Sequence, residues 1–451
     1  MTIVELFDEK PINNIIGALA FHPDRVVYIG GLSQRHFENR KLPILKRFFA
    51  QKQMPELEIR YVQVRKDSLQ DIIARFEEIR AAYDDCNFHI EVTGGEELVL
   101  IALGVLCERY PSLRLYQISS KLRHVRTFSV AGEDGVKTDM VCRNSVRENL
   151  MLHGASVISA DGSDFLPEGW QFTEDFLHDL GLMWETMRSG IDECDPQGDV
   201  SPYNWNQAIS SLGRLYADFA LPDDPNCIQV EKSFFHDTFL LMPEHRQLRN
   251  YLFYFLRLDL LDYRIGEETV ELEFKNAQVR KCLTTAGILL ELKTYLICRG
   301  LTAQRGGDCM TGVQIAWDGE ESAAADAALP DAQYDPDAPA DTVNEVDVIA
   351  ACGMVPYFIS CKNGQFSSEE LYKLYAVSEQ FGKGYCKRLL VTTSLRYAVD
   401  NARQRLQLLQ RAEDMGIVIL EDVHTMTDAE FSAELARVME LPKVKSLQTV
   451  S

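Results

Sequence analysis

VNEVDVIAACGMVPYFISCKNG, residues 343–364, contains two apolar runs separated by the bend CGMVP. Successive side chains of a strand point to opposite faces, so Ser360 and Lys362 share one face of the second run, and Cys361 turns into the opposite layer. Asp347 lies in the first run. If the two runs pair as neighbouring strands, the side chains of Asp347, Ser360 and Lys362 converge. The stretch therefore predicts a strand pair that carries an acid and a lysine at one end.

A carboxylate beside a lysine at a strand end suits cleavage of a phosphodiester bond. The carboxylate holds Mg²⁺ or Mn²⁺, and the lysine orients or deprotonates the attacking water and neutralises charge. One carboxylate is a poor metal site, and Glu291 on the predicted helix TTAGILLELKTYLICRG is a candidate for the second, because no basic residue stands three or four positions from it. Two ordinary interpretations stay open: Asp347 and Lys362 form a cross-strand ion pair, or Glu291 reaches solvent.

The length and composition are those of a folded protein with two or three domains. The chain has 451 residues, of which 46% are hydrophobic and 25% charged. A net charge of −22 argues against nonspecific coating of nucleic acid and leaves a local basic groove possible. Part of the excess stands in 318–341, which has eight acidic residues and no Lys or Arg. We expect this segment to be a mobile insertion.

Targeting and cysteine patterns indicate the compartment. The first residues, MTIVELFDEK, do not have the pattern of a signal peptide, and the longest apolar run, ELVLIALGVLC, is too short to span a bilayer. The eleven cysteines include no C-x-x-C pair, so a cysteine metal site is not expected. We therefore expect a cytoplasmic protein that does not bind a membrane.

Strand and helix patterns alternate along the first part of the chain, which predicts a parallel, doubly wound sheet. Ligands of such sheets bind beyond the carboxyl ends of the strands, where the loops YIGGLSQRH and VTGGEELVL fall. Glycines let a ligand approach the backbone, and a helix start favours an anion. Neither loop matches a dinucleotide or P-loop motif. A capping box of Thr93 and Glu96 explains the second loop without any ligand.

The middle of the chain, roughly 145–280, is less regular. It contains the helix-like stretches QFTEDFLHDLGLMWETMRSG and NWNQAISSLGRLYADFA, followed by RQLRNYLFYFLRLDLLDYRI. TVELEFKN around GEE and the following AQVRK predict a hairpin-like pair of strands. We expect this segment to be a connector that packs on both neighbours.

A leading helix glutamate, then N-E-V-D-V, then F-I-S-C-K-N-G resembles the PD-(D/E)XK nuclease core. In particular, the sequence resembles CRISPR ancillary nucleases that join this core to an N-terminal CARF (CRISPR-associated Rossmann-fold) domain, which the GGLSQ and TGG loops fit. The resemblance implies an α/β protein with a doubly wound Rossmann-like (CARF) effector-binding domain over 1–150 and a mixed connector over 151–275. A restriction-endonuclease-like nuclease domain follows over 276–451, with the acidic insertion inside it.

The resemblance also implies partners and residue roles. Family members are homodimers whose CARF domains bind a cyclic oligoadenylate, here with cyclic tetra-adenylate favoured, and then cleave DNA or RNA with Mn²⁺ or Mg²⁺. Glu291, Asp347 and the Cys361 carbonyl become metal ligands, Lys362 the catalytic lysine, and Ser360 occupies the position of the second motif's acid. The predicted effector-binding residues are Asn14, Gly30, Gly31, Leu32, Ser33, Gln34, Arg35, Thr93, Gly94, Gly95 and Glu96.

Two departures from the family pattern keep other functions open. Ser360 replaces an Asp or Glu, and Glu96 and Glu97 stand where many relatives have a Thr-Lys pair. The first alternative is therefore a ligand sensor with a degenerate nuclease domain that binds nucleic acid or a partner without cutting. The second is a nucleotide-dependent oxidoreductase, which the missing dinucleotide fingerprint disfavours.

Overall fold

The computed structural model describes residues 1–83, 88–93, 97–119, 124–129, 137–139, 143–189, 201–317, 343–364, 366–393, 395 and 402–441. The expected acidic insertion and the loop residues Gly94, Gly95 and Glu96 lie outside them. The contacts divide the described chain into one unit that ends at Ser156 and a second that begins at Val157. No helix among these residues is both long and apolar enough to cross a membrane.

A seven-stranded sheet forms the first unit, in the order β3-β2-β1-β4-β5-β6-β7. Its strands are β1 (Thr2–Leu6), β2 (Arg25–Gly30), β3 (Glu58–Gln63), β4 (Phe88–Glu91), β5 (Arg114–Ser119), β6 (His124–Ser129) and β7 (Lys137–Asp139). The first five strands are parallel, which confirms the predicted doubly wound arrangement. The last two add antiparallel strands that the sequence patterns did not predict.

Helices cover both faces of this sheet, and successive side chains of β1 pack on opposite faces. Val4 and Leu6 pack with α4 and α5 in one apolar layer, whereas Glu5 faces α1 on the other side. The helices of the unit are α1 (Asn13–Phe21), α2 (Gln34–His36) with the π-helical turn Phe37–Lys41, α3 (Leu42–Gln51), α4 (Leu69–Ala82), α5 (Glu97–Arg109) and α6 (Val146–Leu152).

The middle segment contributes helices and a small antiparallel sheet in the order β10-β11-β9. The strands are β9 (Cys227–Glu231), β10 (Leu261–Ile265) and β11 (Thr269–Phe274), and the helices are α7 (Glu174–Ser189), α8 (Ser201–Phe219), α9 (Arg246–Arg257) and α10 (Ala277–Thr284), with short turns at Phe234–Thr238, Phe239–Leu241 and Pro243–His245. The hairpin prediction was wrong about the partner strand: AQVRK begins α10, and TVELEF pairs with Leu261–Ile265 across the GEE turn. Asn276 explains this, because its side chain caps α10 by accepting the Val279 N–H.

A six-stranded mixed sheet forms the core of the second unit, in the order β16-β15-β14-β13-β12-β8. Its strands are β8 (Ser156–Ser159), β12 (Asp308–Ala316), β13 (Val343–Cys352), β14 (Val355–Lys362), β15 (Lys387–Thr392) and β16 (Ile417–Leu420). The helices are α11 (Ile288–Ala303), α12 (Glu369–Gly382), α13 (Ala402–Asp414) and α14 (Asp428–Val438), with a 3₁₀ turn at Val423–Thr425. Side chains of the middle segment share one apolar core with this sheet and α11. The contacts therefore group the segment with the C-terminal part.

Candidate active site and effector loops

The predicted strand pair is present as the hairpin β13–β14. Val348 lies opposite Ile359 in an antiparallel register, and β14 continues the sheet through a parallel pairing with β15. Alternation along β14 places Cys361 in the apolar core beside Ile359, as predicted. Ser360 and Lys362 occupy the other face of the strand.

Asp347 is the point at which the predicted strand residues meet. Its Oδ2 accepts hydrogen bonds from the Cys361 backbone N–H at 2.6 Å and from the Ser360 hydroxyl at 3.2 Å. The same oxygen lies 3.5 Å from the Nζ of Lys362. The structure therefore brings Asp347, Ser360 and Lys362 together. It also contains the cross-strand ion pair that the sequence left open.

Lys362 lies between two carboxylates. Besides Asp347, it contacts Glu370 of α12, with Nζ and Oε2 3.2 Å apart. Burial acts against the charged form of Lys362, but the charges of Asp347 and Glu370 outweigh it and raise the pKa of the ammonium above its usual value. In this arrangement the lysine is a cation that can bind and neutralise a phosphate oxygen. A protonated lysine cannot serve as the general base that takes a proton from water.

Glu291 reaches the same place from α11, the helix that packs on β12 and β13. The helix begins at Ile288 after Gly287, whose φ of 93° is a left-handed conformation that suits glycine. Burial, and then the charge of Asp347, raise the pKa of Glu291 well above its usual value. A cation bound beside Glu291 and Asp347 would therefore be stabilised by both carboxylates.

Glu345 adds a further acid two residues before Asp347, on the same face of β13. Its carboxyl is exposed at the strand start, where partial desolvation and then the charge of Asp347 raise its pKa. The negative potential around Asp347 therefore extends toward solvent. This potential attracts a cation and repels a nucleic-acid backbone unless a cation is bound.

The residues present fit a hard divalent cation with few protein ligands. Glu291 and Asp347 supply carboxylate oxygens, and the Cys361 carbonyl lies on the same side of β14 as its N–H, which faces Asp347. The Cys361 thiol does not fit, because burial, followed by the charge of Asp347, raises its pKa well above the usual value. Within the described ranges no three His, Cys, Asp or Glu side chains form a metal-binding group. A cation held here would therefore keep several waters, as Mg²⁺ commonly does.

Sequence reasoning missed Glu370 and a polar clamp at the end of β14. Asn363 accepts a hydrogen bond of 2.8 Å from the Thr393 hydroxyl and donates one of 2.9 Å to Oδ1 of Asn206 on α8. This clamp fixes the backbone just after Lys362. The acidic start of α12, SSEEL at 367–371, which four residues separate from the end of the lysine strand, is the sequence signal that points to Glu370.

The first predicted effector loop follows β2 at the carboxyl edge of the parallel sheet. The Tyr61 hydroxyl donates to the Leu32 carbonyl at 2.9 Å, and Ser33 caps α2 by accepting the His36 N–H at 3.2 Å. The side chain of Lys66, a residue that the loop motifs did not indicate, lies over Gly31, where an added Cβ would meet it at 2.7 Å. The loop thus presents its glycine backbone beside a basic side chain. Gly30, Gln34 and Arg35 belong to the same loop.

Asn14 and Thr93 lie beyond the carboxyl ends of the neighbouring strands β1 and β4. The Asn14 amide closes the β1–α1 loop, because it donates to the Asp8 carbonyl and accepts from the Asp8 N–H, both at 2.8 Å. The Thr93 hydroxyl accepts the Ile118 N–H, and Glu91 accepts the Thr93 N–H. These side chains serve the local structure of the loops. The order β2-β1-β4 places both loops on one edge of the sheet.

Solved structures provide the comparison at the level of the whole chain. Protein VC1899 from Vibrio cholerae matches with a TM-score of 0.66 and 14% identity, over 97% of this chain and 98% of that one. Can2 from Sulfobacillus thermosulfidooxidans, in complex with cyclic tetra-adenylate, matches with a TM-score of 0.60 and 14% identity, over 97% of each chain. No family model matches the sequence, and no curated protein matches it. At this identity the similarity establishes the fold: the chain has the α/β fold of Can2 and VC1899, as its motifs predicted.

Proposed function

We propose that the protein is a metal-dependent nuclease that a cyclic oligoadenylate activates in type III CRISPR defence, cleaving phosphodiester bonds of DNA or RNA. The observation that carries the nuclease half is the contact of Asp347 with Lys362 across two paired strands. Glu291 of α11 supports it, because the charge of Asp347 contributes to the raised pKa of Glu291. The effector half rests on the fold shared with Can2, which binds cyclic tetra-adenylate. The domain limits proposed are 1–150 for effector binding and 276–451 for the nuclease, with 151–275 between them.

The residues of the site divide the chemistry among them. Glu291, Asp347 and the Cys361 carbonyl would hold the cation. Mg²⁺ or Mn²⁺ bound there polarises a phosphoryl oxygen and acidifies water. The Lys362 ammonium binds a nonbridging oxygen of the scissile phosphate and stabilises the charge that develops on it. The Ser360 hydroxyl, held by Asp347, orients that carboxylate and offers little charge of its own.

The effector site proposed comprises the loops after β2 and β4. The glycine backbone after β2 allows a nucleotide phosphate to approach closely, and the side chain of Lys66, whose carbon atoms lie beside Gly31, brings a positive charge to the same loop. We propose that the protein acts as a homodimer, because a cyclic oligonucleotide on a two-fold axis gains contacts from both subunits. Effector binding would then favour the active state in proportion to its differential affinity for it.

One cleavage experiment tests the proposal. Purified protein is incubated with labelled single- and double-stranded DNA and RNA, with Mn²⁺ or Mg²⁺, and with or without cyclic tetra- or hexa-adenylate. Cleavage that requires both a metal and one cyclic nucleotide supports the proposal, and Lys362→Met is the matched inactive control. Cleavage that the control retains would place the activity in a contaminant or in another site.

A second candidate function is favoured by one observation. Ser360 supplies a hydroxyl where an acid would provide a third carboxylate ligand, and the weaker cation site that results favours a sensor that binds nucleic acid without cutting it. Effector-dependent binding of intact nucleic acid, with no cleavage under any metal, would select this candidate.

A further inference from the structure

Glu370 forms an ion pair with Lys362, the lysine of the site. Its Oε2 lies 3.2 Å from Lys362 Nζ, and its Oε1 accepts a hydrogen bond of 3.0 Å from Lys373. The Lys373 pair is an ordinary contact three residues apart on one helix, with the lysine 69% exposed. The Lys362 pair differs, because it joins the end of β14 to the first turn of α12 and both side chains are about three-quarters covered, at 26% and 23% exposure.

The helix start alone does not explain Glu370. Acids in the first turn interact favourably with the helix dipole, and both Glu369 and Glu370 occupy that turn. Only Glu370 turns toward β14, whereas Glu369 is exposed. Glu369 and Glu370 therefore have the same charge and lie in the same helix turn, but only Glu370 contacts Lys362.

The geometry indicates what the contact does. Asp347 Oδ2 already accepts two hydrogen bonds, and a lysine that gave its whole charge to Asp347 would compete with a cation for that carboxylate. Glu370 draws the ammonium toward α12, to a distance of 3.5 Å from Asp347, which is longer than a normal hydrogen bond. Lys362 thereby stays beside the place where phosphate and cation would meet without occupying the cation's ligand.

We propose that Glu370 is a positioning residue that holds the Lys362 ammonium between α12 and Asp347. This inference rests on the proposed nuclease function. It adds a residue outside the strand motifs to the site, and it assigns that residue an effect on the lysine and not on substrate binding.

Glu370→Gln and the matched control Glu369→Gln test the role, since each removes one negative charge from the same helix turn. Loss of a residue that orients others lowers activity by about 10- to 100-fold. We expect that loss in kcat for Glu370→Gln with KM within about twofold, and partial rescue by Glu370→Asp. Glu369→Gln should keep the wild-type kcat. Nucleic-acid affinity in EDTA and the unfolding temperature should be alike in the two variants, which a merely structural role of Glu370 would not give.

Mn²⁺ binding provides a readout that does not need catalysis. Glu370→Gln should weaken Mn²⁺ binding by about tenfold, because the lysine moves onto Asp347, and Glu370→Gln/Lys362→Met should restore it. Equal kcat and equal Mn²⁺ affinity in Glu370→Gln and Glu369→Gln would overturn the inference. A wild-type protein that binds Mn²⁺ yet cleaves nothing would instead overturn the proposed function, and the Mn²⁺ comparison would still decide the role of Glu370.

Discussion

The backbone N–H of Cys361 donates a 2.6 Å hydrogen bond to the side chain of Asp347. The bond lies where the regular pairing of β13 with β14 ends, at Val348 and Ile359. The Asp347 carboxylate thus takes the place of a backbone carbonyl as the acceptor of the Cys361 N–H. This bond holds the carboxylate beside Cys361, the residue that precedes Lys362. The hairpin alone therefore orients Asp347. The position of the Lys362 ammonium depends in addition on Glu370 of α12.

Replacement of Lys362 tests the catalytic assignment most directly. Lys362→Met should reduce cleavage by about 10²- to 10⁴-fold, because the site loses the cation that stabilises developing phosphate charge. Initial rates at saturating substrate measure this effect. Lys387→Met, on the neighbouring strand β15 with its own partner Glu440, is the control and should cleave normally. A Lys362→Met protein of near-normal rate would refute the site.

Replacement of the two acids tests the cation site. Asp347→Asn and Glu291→Gln should each weaken Mn²⁺ binding by at least about tenfold, because each removes a charged ligand. Asp347→Asn keeps an acceptor for the Cys361 N–H, so the hairpin should remain folded. Calorimetric titration with Mn²⁺ measures the affinity. Glu345→Gln, which is not among the proposed ligands, should lose less Mn²⁺ affinity than the other two variants. If all three variants bind Mn²⁺ equally, the cation lies elsewhere.

Local patterns were enough to predict the hairpin and to predict which of its side chains lie on the same face. The apolar alternation on both sides of CGMVP fixed which of Ser360 and Cys361 faces the core, because a strand has a period of two. The same reasoning predicted the parallel arrangement of the first five strands of the N-terminal sheet, because helices of nine or more residues separate these strands and exclude hairpins between them. These features depend on neighbours in sequence, so the sequence displays them.

Contacts between distant elements were harder to predict. Glu291 and Asp347 are separated by a strand and by 318–341, and no spacing rule links a helix acid to a strand acid at that separation. Glu370 had an adequate local explanation as an acid at a helix start, which concealed its contact with Lys362. Lys66 was missed because its side chain crosses to Gly31 from the end of another strand. Such pairs become visible only when the packing of the sheet is known.

Two helical glycines in the first unit should respond to alanine with opposite signs. A Cβ at Gly17 of α1 would overlap the Glu5 carboxylate and the Tyr116 hydroxyl, whereas a Cβ at Gly104 of α5 would meet nothing within 4 Å. Gly17→Ala should destabilise the unit by about 1–3 kcal/mol, since overpacking outweighs the gain of roughly 1 kcal/mol in helix propensity. Gly104→Ala should raise stability by up to about 1 kcal/mol. Thermal unfolding of both variants beside the wild type measures the signs, and a stabilised Gly17→Ala protein would contradict the packing of α1 on β1.

The buried carboxyl of Glu5 should make the stability of the first unit depend on pH. Glu5 is 1% exposed, and its Oε1 accepts a 2.9 Å hydrogen bond from the Tyr116 hydroxyl. Burial, and then the charge of Glu91, raise the pKa of Glu5 well above its usual value of 4.5, and the bond from Tyr116 opposes them in part. The folded state therefore keeps a proton that the unfolded chain has lost. The protonated Glu5 carboxyl contributes its full stabilisation at pH values below about 4.5, the pKa of the unfolded chain. The contribution is lost as the pH rises toward the higher pKa of the folded state.

Glu5→Gln isolates this contribution, because it keeps the shape and the acceptor for Tyr116 but has no proton to lose. Relative to the variant, the wild type should lose about 1.4 kcal/mol of unfolding free energy per pH unit between the unfolded and folded pKa values. Thermal unfolding of both proteins from pH 4.5 upward measures the difference between their unfolding free energies. The other titrating groups contribute equally to both proteins and cancel in this difference. Glu56→Gln, at an exposed position before β3, should leave the pH dependence unchanged. Parallel pH profiles for the wild type and Glu5→Gln would show that Glu5 ionises in the folded protein as it does in the unfolded chain.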